Sequence, residues 1–389
     1  MPNPQAADEG RPARWTRRHL DRLVDTPATT APAIGPTAPA RMLPRYDIWD
    51  PWPVQDPDGS PAVILGSELW MALSAPATGH PEQRHDHARI RLLTRGGERW
   101  HDRGPVFAAG TSPGSREWSG CAVRRPDGTI SIFYTAAGRR GEPRPTFQQR
   151  IMEARPRLST GRAAVRLDRR VPHHEVLRCV GDAYLPANGD EGGPGQIRAF
   201  RDPGWFRDPA DGREYLLVAA SIPWGDRHMG AIALAGPTAP ADPTARDWTL
   251  LPPLVVAEGI NRDLERPHVV VHRARYFLFF STSRHSFQPR NAAPTGLYGF
   301  VAPTLTGPYE PLNGSGLVIR NPSTQPDQAY AWLVLPDLRV VSFVNYPAAN
   351  GYDPDQAPAT EARARFGGTV APLLRLALGS AATSVVRRR

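Results

Sequence analysis

From about residue 41 the chain alternates short apolar runs with tight polar turns, and one unit recurs five times. In each unit an apolar strand enters a turn and a second strand returns, the pattern of a β-hairpin. The turns are Asp56-Pro-Asp-Gly, Pro126-Asp-Gly, Pro209-Ala-Asp-Gly, His272-Arg-Ala-Arg and Pro336-Asp-Leu. The strands leaving them span 62–73, 129–135, 214–221, 276–281 and 339–345, several of them rich in Val, Ile, Phe and Tyr. Further strand candidates at 88–94, 230–235 and 296–301 fall between the hairpins, and each interval has room for two more strands. Five such units predict an all-β fold, a five-bladed β-propeller of four-stranded blades with a central funnel-shaped pocket. Residues 1–40 read as an N-terminal arm packed on that propeller: a short helix over 15–24, then a Thr/Ala/Pro-rich stretch over 26–39. Residues 41–389 form the single propeller domain.

A second regularity locates chemistry. Six to eight residues before each turn, where the innermost strand of a blade begins, stand Asp50, Trp118, Asp202, Glu265 and Tyr330. Polar and aromatic residues at one phase of all five units converge on one end of the axis, which defines a pocket.

Composition narrows the possibilities. The 44 Pro and 35 Gly disfavour long helices and suit short strands joined by turns. No run approaches the 18 or so uninterrupted apolar residues of a membrane span. All 47 basic residues are Arg. Without a Lys the chain cannot build a P-loop, a Schiff-base site or a protein-kinase site. The net charge of +9 raises nucleic-acid binding, but the Arg residues are scattered among 38 acids and read as surface decoration, with no nucleic-acid partner expected. Cys121 and Cys179 read as two buried free thiols. The start of the chain lacks a basic segment and an apolar run, so the expectation is a protein without a standard signal peptide, cytoplasmic or exported by a non-standard route.

The contexts of the three carboxylates carry a resemblance. Asp50 lies in Asp47-Ile-Trp-Asp-Pro-Trp-Pro, Asp202 in Phe200-Arg-Asp-Pro and Glu265 in Leu264-Glu-Arg-Pro-His. These segments resemble the nucleophile, transition-state-stabiliser and acid/base motifs of glycoside hydrolase family 68, the levansucrases, inulosucrases and bacterial β-fructofuranosidases. The resemblance continues in order through Glu117-Trp-Ser-Gly-Cys, Leu305-Thr-Gly-Pro-Tyr-Glu-Pro-Leu-Asn-Gly-Ser-Gly-Leu-Val and Gln328-Ala-Tyr, from the Trp15-Thr-Arg of the arm to about Leu374.

The chemistry of the resemblance explains the residue types. Cleaving the fructosyl bond of sucrose develops oxocarbenium character, so one carboxylate attacks while a carboxylic acid opposite protonates the leaving oxygen. The resemblance assigns Asp50 as nucleophile, Glu265 as acid/base and Asp202 as the acceptor of fructose hydroxyls. Retention requires the carboxyl groups of Asp50 and Glu265 to lie about 5–5.5 Å apart, and repulsion with desolvation is expected to keep Glu265 protonated near neutral pH. Trp49 and Trp118 are expected as walls against the sugar, and Ser119, Arg201 and Tyr330 as hydrogen-bonding groups. Asp263, two residues before the acid/base, stands where Gln or Glu is commoner and shortens any contact to the leaving glucose. Arg284 is the expected cationic contact to the leaving group, with His285 competing for that place. Arg201, then Arg284 and Arg266, are the arginines expected near substrate.

Other motifs read as bystanders. Arg207-Asp-Pro falls in a hairpin turn and is expected to be a solvent-exposed corner. Gly110-Thr-Ser-Pro-Gly fits a nucleophile elbow but lacks the flanking strand and helix. His85-Asp-His87 and His173-His174 read as surface histidines. The chain departs from the family at Ala219, where a Glu is expected, and in a shortened segment over 221–230 that leans the expectation towards hydrolysis and short products. Gln196 and Arg262 stand at or near two positions of the calcium ligands of some family members, so no metal and no cofactor are expected. The partners expected are a small sugar substrate, sucrose or a related fructoside, and a sugar acceptor, with no membrane partner; the oligomeric state is left open. Two alternatives stay beside this reading: a family member acting on another furanoside or a specialised metabolite, and a propeller that binds sugar without catalysis.

Overall fold

The computed structural model describes residues 11–35, 39–161, 164–179, 183–187, 197–239, 247–347 and 356–387. The fold is mostly β, and its strands run as five successive antiparallel meanders. The first pairs Tyr46–Gln55, Ser67–Pro76, Arg89–Gly96 and Arg99–Pro105 in order, and the second Arg116–Arg124, Ile130–Ala137, Gln149–Ala154 and His173–Leu177. The third runs Phe200–Arg207, Glu214–Trp224, Arg227–Pro237 and Trp248–Ala257. In the fourth, Glu265–His272, Arg275–Thr282 and Gly296–Ala302 are followed by an outer position split between Glu310–Pro311 and Leu317–Arg320. The fifth pairs Ala329–Val334 with Arg339–Val344, then Leu374–Leu378 and Thr383–Val385. The first strand of each meander touches the first strand of the next, and the fifth touches the first. The first two meanders are also joined by parallel pairing of Val54 with Ala122 and Gln55 with Val123.

Each turn that punctuates the sequence joins the first two strands of its meander, with one modification. The run expected as one strand over 62–73 is broken at Leu65 and Gly66, which take φ of 50° and 73° and fold Val63–Ile64 back on Ser67–Pro76. Two successive residues at positive φ make the tight hairpin turn that a strand cannot pass through.

All five inner strands carry a β-bulge at one height. The ladder shifts between Trp49 and Trp52, Trp118 and Gly120, Arg201 and Gly204, Glu265 and His268, and Tyr330 and Leu333. The residue entering the bulge is left-handed in four of them: Asp50 (φ 48°), Asp202 (φ 56°), Arg266 (φ 52°) and Ala331 (φ 56°). In the first, third and fourth strands the next residue is Pro, which has no N–H to leave unpaired. A non-glycine residue at positive φ costs of order 1–3 kcal/mol and persists where packing over-determines it. Gly204 shows how close that packing is, because a Cβ there would lie 2.2 Å from the carbonyl oxygen of Pro267 on the neighbouring inner strand.

The N-terminal arm differs from its expectation. Ala13–Trp15 is a strand, added in parallel to the outer edge of the third meander, and the helix is a single turn, Arg17–Leu20. Trp15 is fully buried among Phe280, Phe287, Tyr298 and Phe300 and donates its indole N–H to the carbonyl of Ser315 at 2.9 Å. Burial of that indole fixes the backbone in an extended form ahead of the helix. The arginines are not only surface decoration either: Arg84, Arg91, Arg116, Arg201 and Arg266 are buried, each bonded to a carboxylate or a carbonyl. Cys121 is a buried free thiol, as expected, but Cys179 is half-exposed.

Candidate functional site

The bulges bring two adjacent rings of side chains to one end of the inner strands. Trp49, Trp118, Arg201, Glu265 and Tyr330 occupy the position before the bulge, and Asp50, Ser119, Asp202, Arg266 and Ala331 the position within it. The single phase read from the sequence is therefore two neighbouring phases. A bulge turns consecutive residues towards the same side, which lets Arg201 and Asp202, or Glu265 and Arg266, serve one site.

Hydrogen bonds tie these residues into one network. The Ser119 hydroxyl donates to Asp50 Oδ2 at 2.5 Å. Arg201 Nη2 donates to Asp263 Oδ1 at 2.8 Å and to Glu265 Oε1 at 3.1 Å, while its Nε lies 3.9 Å from Asp202 Oδ2. The Tyr330 hydroxyl donates to Glu265 Oε2. Asp202 receives the Arg266 backbone N–H at 3.3 Å, and its own N–H donates to Thr135 Oγ1 at 3.0 Å. The Arg266 guanidinium donates to the carbonyls of Ala331 at 2.8 Å and Pro51 at 2.9 Å. One arginine of the fourth meander thus reaches the third, fifth and first. Beneath it His268 bonds the Arg266 carbonyl through Nδ1 and accepts the Val334 N–H at Nε2, which makes it a neutral link between the fourth and fifth inner strands.

Burial dominates the electrostatics. Desolvation lifts the Asp50 carboxyl above its ordinary value and the Glu265 charge adds to that, while Arg266, the Ser119 hydrogen bond and Arg84 oppose it. Desolvation raises Asp202 to about 7, with Arg201 opposing and the Glu265 and Asp50 charges reinforcing the rise. Burial similarly pushes the Tyr330 phenol well above its usual range, reinforced by its bond to Glu265. Arg201 is held more firmly protonated than usual, because Asp263, Glu265 and Asp202 together outweigh its desolvation. Four carboxylates, Asp50, Asp202, Asp263 and Glu265, and two buried cations, Arg201 and Arg266, form the core of the site.

The walls come from the first two meanders. Trp49 is buried, and Trp118 donates its indole N–H to the carbonyl of His85 at 3.2 Å. The turn Pro81–His87 lies over them: the Arg84 guanidinium sits 5.5 Å from the Trp49 ring and 4.8 Å from Phe366, and donates to Glu82 at 2.9 Å. His85 packs edge-on against Trp49 with ring centroids 5.7 Å apart. Its side chain keeps 43% of its surface accessible, yet surrounding protein and the Arg84 charge push its pKa down to about 3. His85 is thus at the surface as expected, but its contact with Trp49 places it beside the site. His173 is not a surface histidine: it is half-buried against Phe107 and bonded to the Tyr134 hydroxyl at 2.8 Å. The corner Arg207-Asp-Pro is likewise only partly exposed, since Asp208 is buried and accepts the Tyr276 hydroxyl.

Arg284 is pinned by Asp327, with Nη2 to Oδ2 at 2.8 Å, and Asp327 also receives the Thr295 hydroxyl at 3.3 Å. It follows the strand residue Ser281 that pairs with Glu265, which puts it at the site's end of the sheet. His285 instead accepts from Arg290 Nε at 2.9 Å. Ala219 stands opposite Arg201 in the ladder, and Asp263 supplies the carboxylate beside that arginine, its own N–H held by Asn261 Oδ1 at 2.8 Å. Sequence reasoning missed Arg84, His85, Thr135 and Asp327; the His-rich run 80–87 held a signal that the missing metal partners obscured.

A cavity of about 430 Å³ also lies between Ser119, Asp202 and Arg266 and the turns at Pro57, Pro209 and Pro336. Asp202 lines it, but Trp49, Asp50, Glu265 and Tyr330 do not, so it is not the site that the three carboxylates share. Among the described residues no group of three or more His, Cys, Asp or Glu side chains could hold a metal ion. Gln196 lies outside the described residues.

Similarity to known proteins accords with this geometry. The chain matches the levansucrase/invertase profile of glycoside hydrolase family 68 over residues 3–232 and 225–389. It is 30% identical to a levansucrase of Rahnella aquatilis over 407 aligned positions, which span 94% of this chain and 92% of that one. A levansucrase of Zymomonas mobilis is 31% identical, with 94% and 88% spanned. Among solved structures, an inulosucrase from Halalkalicoccus jeotgali bound to kestose superposes with a TM-score of 0.88 at 38% identity, covering 96% of this chain and 95% of that one.

Proposed function

The chain belongs to glycoside hydrolase family 68, the levansucrase/invertase family of glycoside hydrolases and fructosyltransferases, and on that premise we propose that it is a retaining β-fructosyl enzyme. It cleaves sucrose or a related β-fructoside and passes fructose to water or to a sugar acceptor. The five meanders are the blades of a five-bladed propeller within one catalytic unit, residues 41–389, with residues 1–40 as its arm. The observation that carries the reading is the delivery of Asp50, Asp202 and Glu265 to one end by equivalent bulged strands.

Asp50 attacks the anomeric carbon of the fructosyl ring while Glu265 protonates the glycosidic oxygen, and glucose leaves. A fructosyl ester on Asp50 results. Glu265, now a carboxylate, takes the proton of an incoming water or acceptor hydroxyl, which attacks the same carbon and releases Asp50. The Ser119 hydrogen bond and the Arg266 charge favour the Asp50 anion against its burial. Arg201 and Tyr330 hold the two oxygens of Glu265 and so aim the proton. Asp202 accepts hydrogen bonds from ring hydroxyls as charge develops on the sugar. Trp49, Trp118 and His85 wall the sugar, and Arg284 on Asp327 contacts the leaving group. The kestose held by the inulosucrase of Halalkalicoccus jeotgali supports a fructosyl ligand for this pocket.

The test is incubation with sucrose and separate assay of free glucose and free fructose. Glucose release at or above fructose release is expected, the excess measuring transfer. Absence of glucose release from sucrose and of melibiose release from raffinose would remove the proposal.

A further inference from the structure

We infer that the hairpin Trp224–Arg227 forms an outer subsite for oligofructosides, holding sugar units beyond those at the carboxylates; this rests on the fructosyl function above. The hairpin lies within the shortened segment 221–230 and joins the second and third strands of the third meander. Trp224 pairs with Arg227 across the two-residue turn Gly225-Asp226, with Gly225 at φ 57°. A glycine at the first turn position at positive φ makes the tip tight and presents the flanking side chains rigidly.

The indole of Trp224 is 40% exposed, although burying so large an apolar surface would be favourable. Its benzo edge rests on Gly259, where even a methyl group would sit 3.4 Å from Cζ2, so the ring is backed by main chain and its remaining surface is free for a ligand. A cleft of about 350 Å³ opens beside it, lined also by Asp226, Arg227, Met229 and Gln288. That volume is in the range of small-ligand sites, and an aromatic surface with a few polar groups suits a sugar: C–H bonds against the ring, hydroxyls to carboxylate, guanidinium and amide. A negatively charged ligand has less claim, since Asp226 faces the cleft, and a purely apolar one leaves Arg227 and Gln288 unused.

The path to the catalytic residues is short. Three residues along the strand from Arg227, about 10 Å, Gly230 donates its N–H to the Asn261 carbonyl at 3.0 Å and packs so tightly on Arg262 and Asp263 that a Cβ would lie 3.0 Å from them. Asp263 binds Arg201, which binds Glu265. His228, on the same face of the strand as Gly230, has its pKa lowered by burial and then by the nearby charges of Arg262, Arg198 and Arg201. An acceptor chain leaving Glu265 over this rim therefore runs towards Trp224.

The test uses full-length chains carrying Asp50→Ala, so that the ligand is not consumed, and measures the binding of a fructo-oligosaccharide of five units and of sucrose by calorimetry. Adding Trp224→Ala is expected to lower the ratio of pentasaccharide to sucrose affinity about tenfold, and Trp224→Phe, which keeps an aromatic face, to recover most of it. Gln288→Ala lowers the same ratio and serves if Trp224→Ala does not fold. An unchanged ratio in Trp224→Ala and Gln288→Ala overturns the subsite. Failure of the fructosyl reading is separate: the Asp50→Ala chain would then bind neither sugar, and the unaltered chain would release no glucose from sucrose.

Discussion

Replacing Arg201 by Met removes the cation that bonds Asp263 and Glu265 and lies beside Asp202, while keeping a side chain of similar length. Asp202, Asp263 and Arg201 are each less than a tenth exposed, and Arg201 makes both a 2.8 Å and a 3.1 Å bond to carboxylate oxygens. Breaking a buried pair by deleting one partner costs about 3–5 kcal/mol, because the remaining charge stays desolvated. Asp202, left behind, already has a raised native pKa, so the native state binds more protons than the unfolded chain as pH rises through its range, and stability falls with pH. Urea denaturation of Arg201→Met is expected to show a loss of about 1–2 kcal/mol at pH 5 that grows to about 3–5 kcal/mol at pH 8. The same change removes charge stabilisation from the acid and its neighbours, so kcat/KM for sucrose falls by about 10²- to 10³-fold. A stability loss that is equal at the two pH values, or below about 0.5 kcal/mol at both, would refute the view that Arg201 neutralises this cluster.

Two further outcomes follow from the same network. Asp202 at about 7 holds a raised pKa against an unfolded value near 3.9, so its contribution is present below that value and lost as pH rises through 7. Asp202→Asn is therefore expected to abolish about 2–3 kcal/mol of the stability decline between pH 5 and pH 8 while lowering kcat steeply; an unchanged denaturation profile contradicts it. Tyr330→Phe deletes one hydrogen bond to the Glu265 carboxylate and is expected to lower kcat/KM about ten- to a hundredfold, with a loss below twofold as the opposing result.

Much of this arrangement was legible in the chain because turns and period-two apolar runs are local signals. The turns at Pro126, Pro209, His272 and Pro336 each join the strands expected of them. The turn at Leu65-Gly66 was hidden inside an apolar run, since only a positive φ distinguishes it and Leu is no usual marker of one. The arm was misread for a similar reason: Trp15 is drawn into the core by long-range packing that overrides the helical pattern around it. The carboxylates stood out through their contexts, but the bulge that separates Glu265 from Asp50 and Asp202 by one position is a property of pairing between strands. Arg84 and Asp327 carried no motif at all. They act through neighbours, Arg84 on the Trp49 ring and Asp327 on Arg284, and such contacts exist only after folding.

The central claim, that fructose passes through Asp50 with retention, is tested most directly by trapping. Rapid acid quench of the enzyme turning over sucrose, followed by intact-mass measurement and peptide mapping, is expected to reveal a population heavier by one fructosyl residue, with the added mass on the peptide bearing Asp50 and absent from Asp50→Ala. Turnover of sucrose by Asp50→Ala at the unaltered rate, or a fructosyl adduct on any residue other than Asp50, would contradict the account.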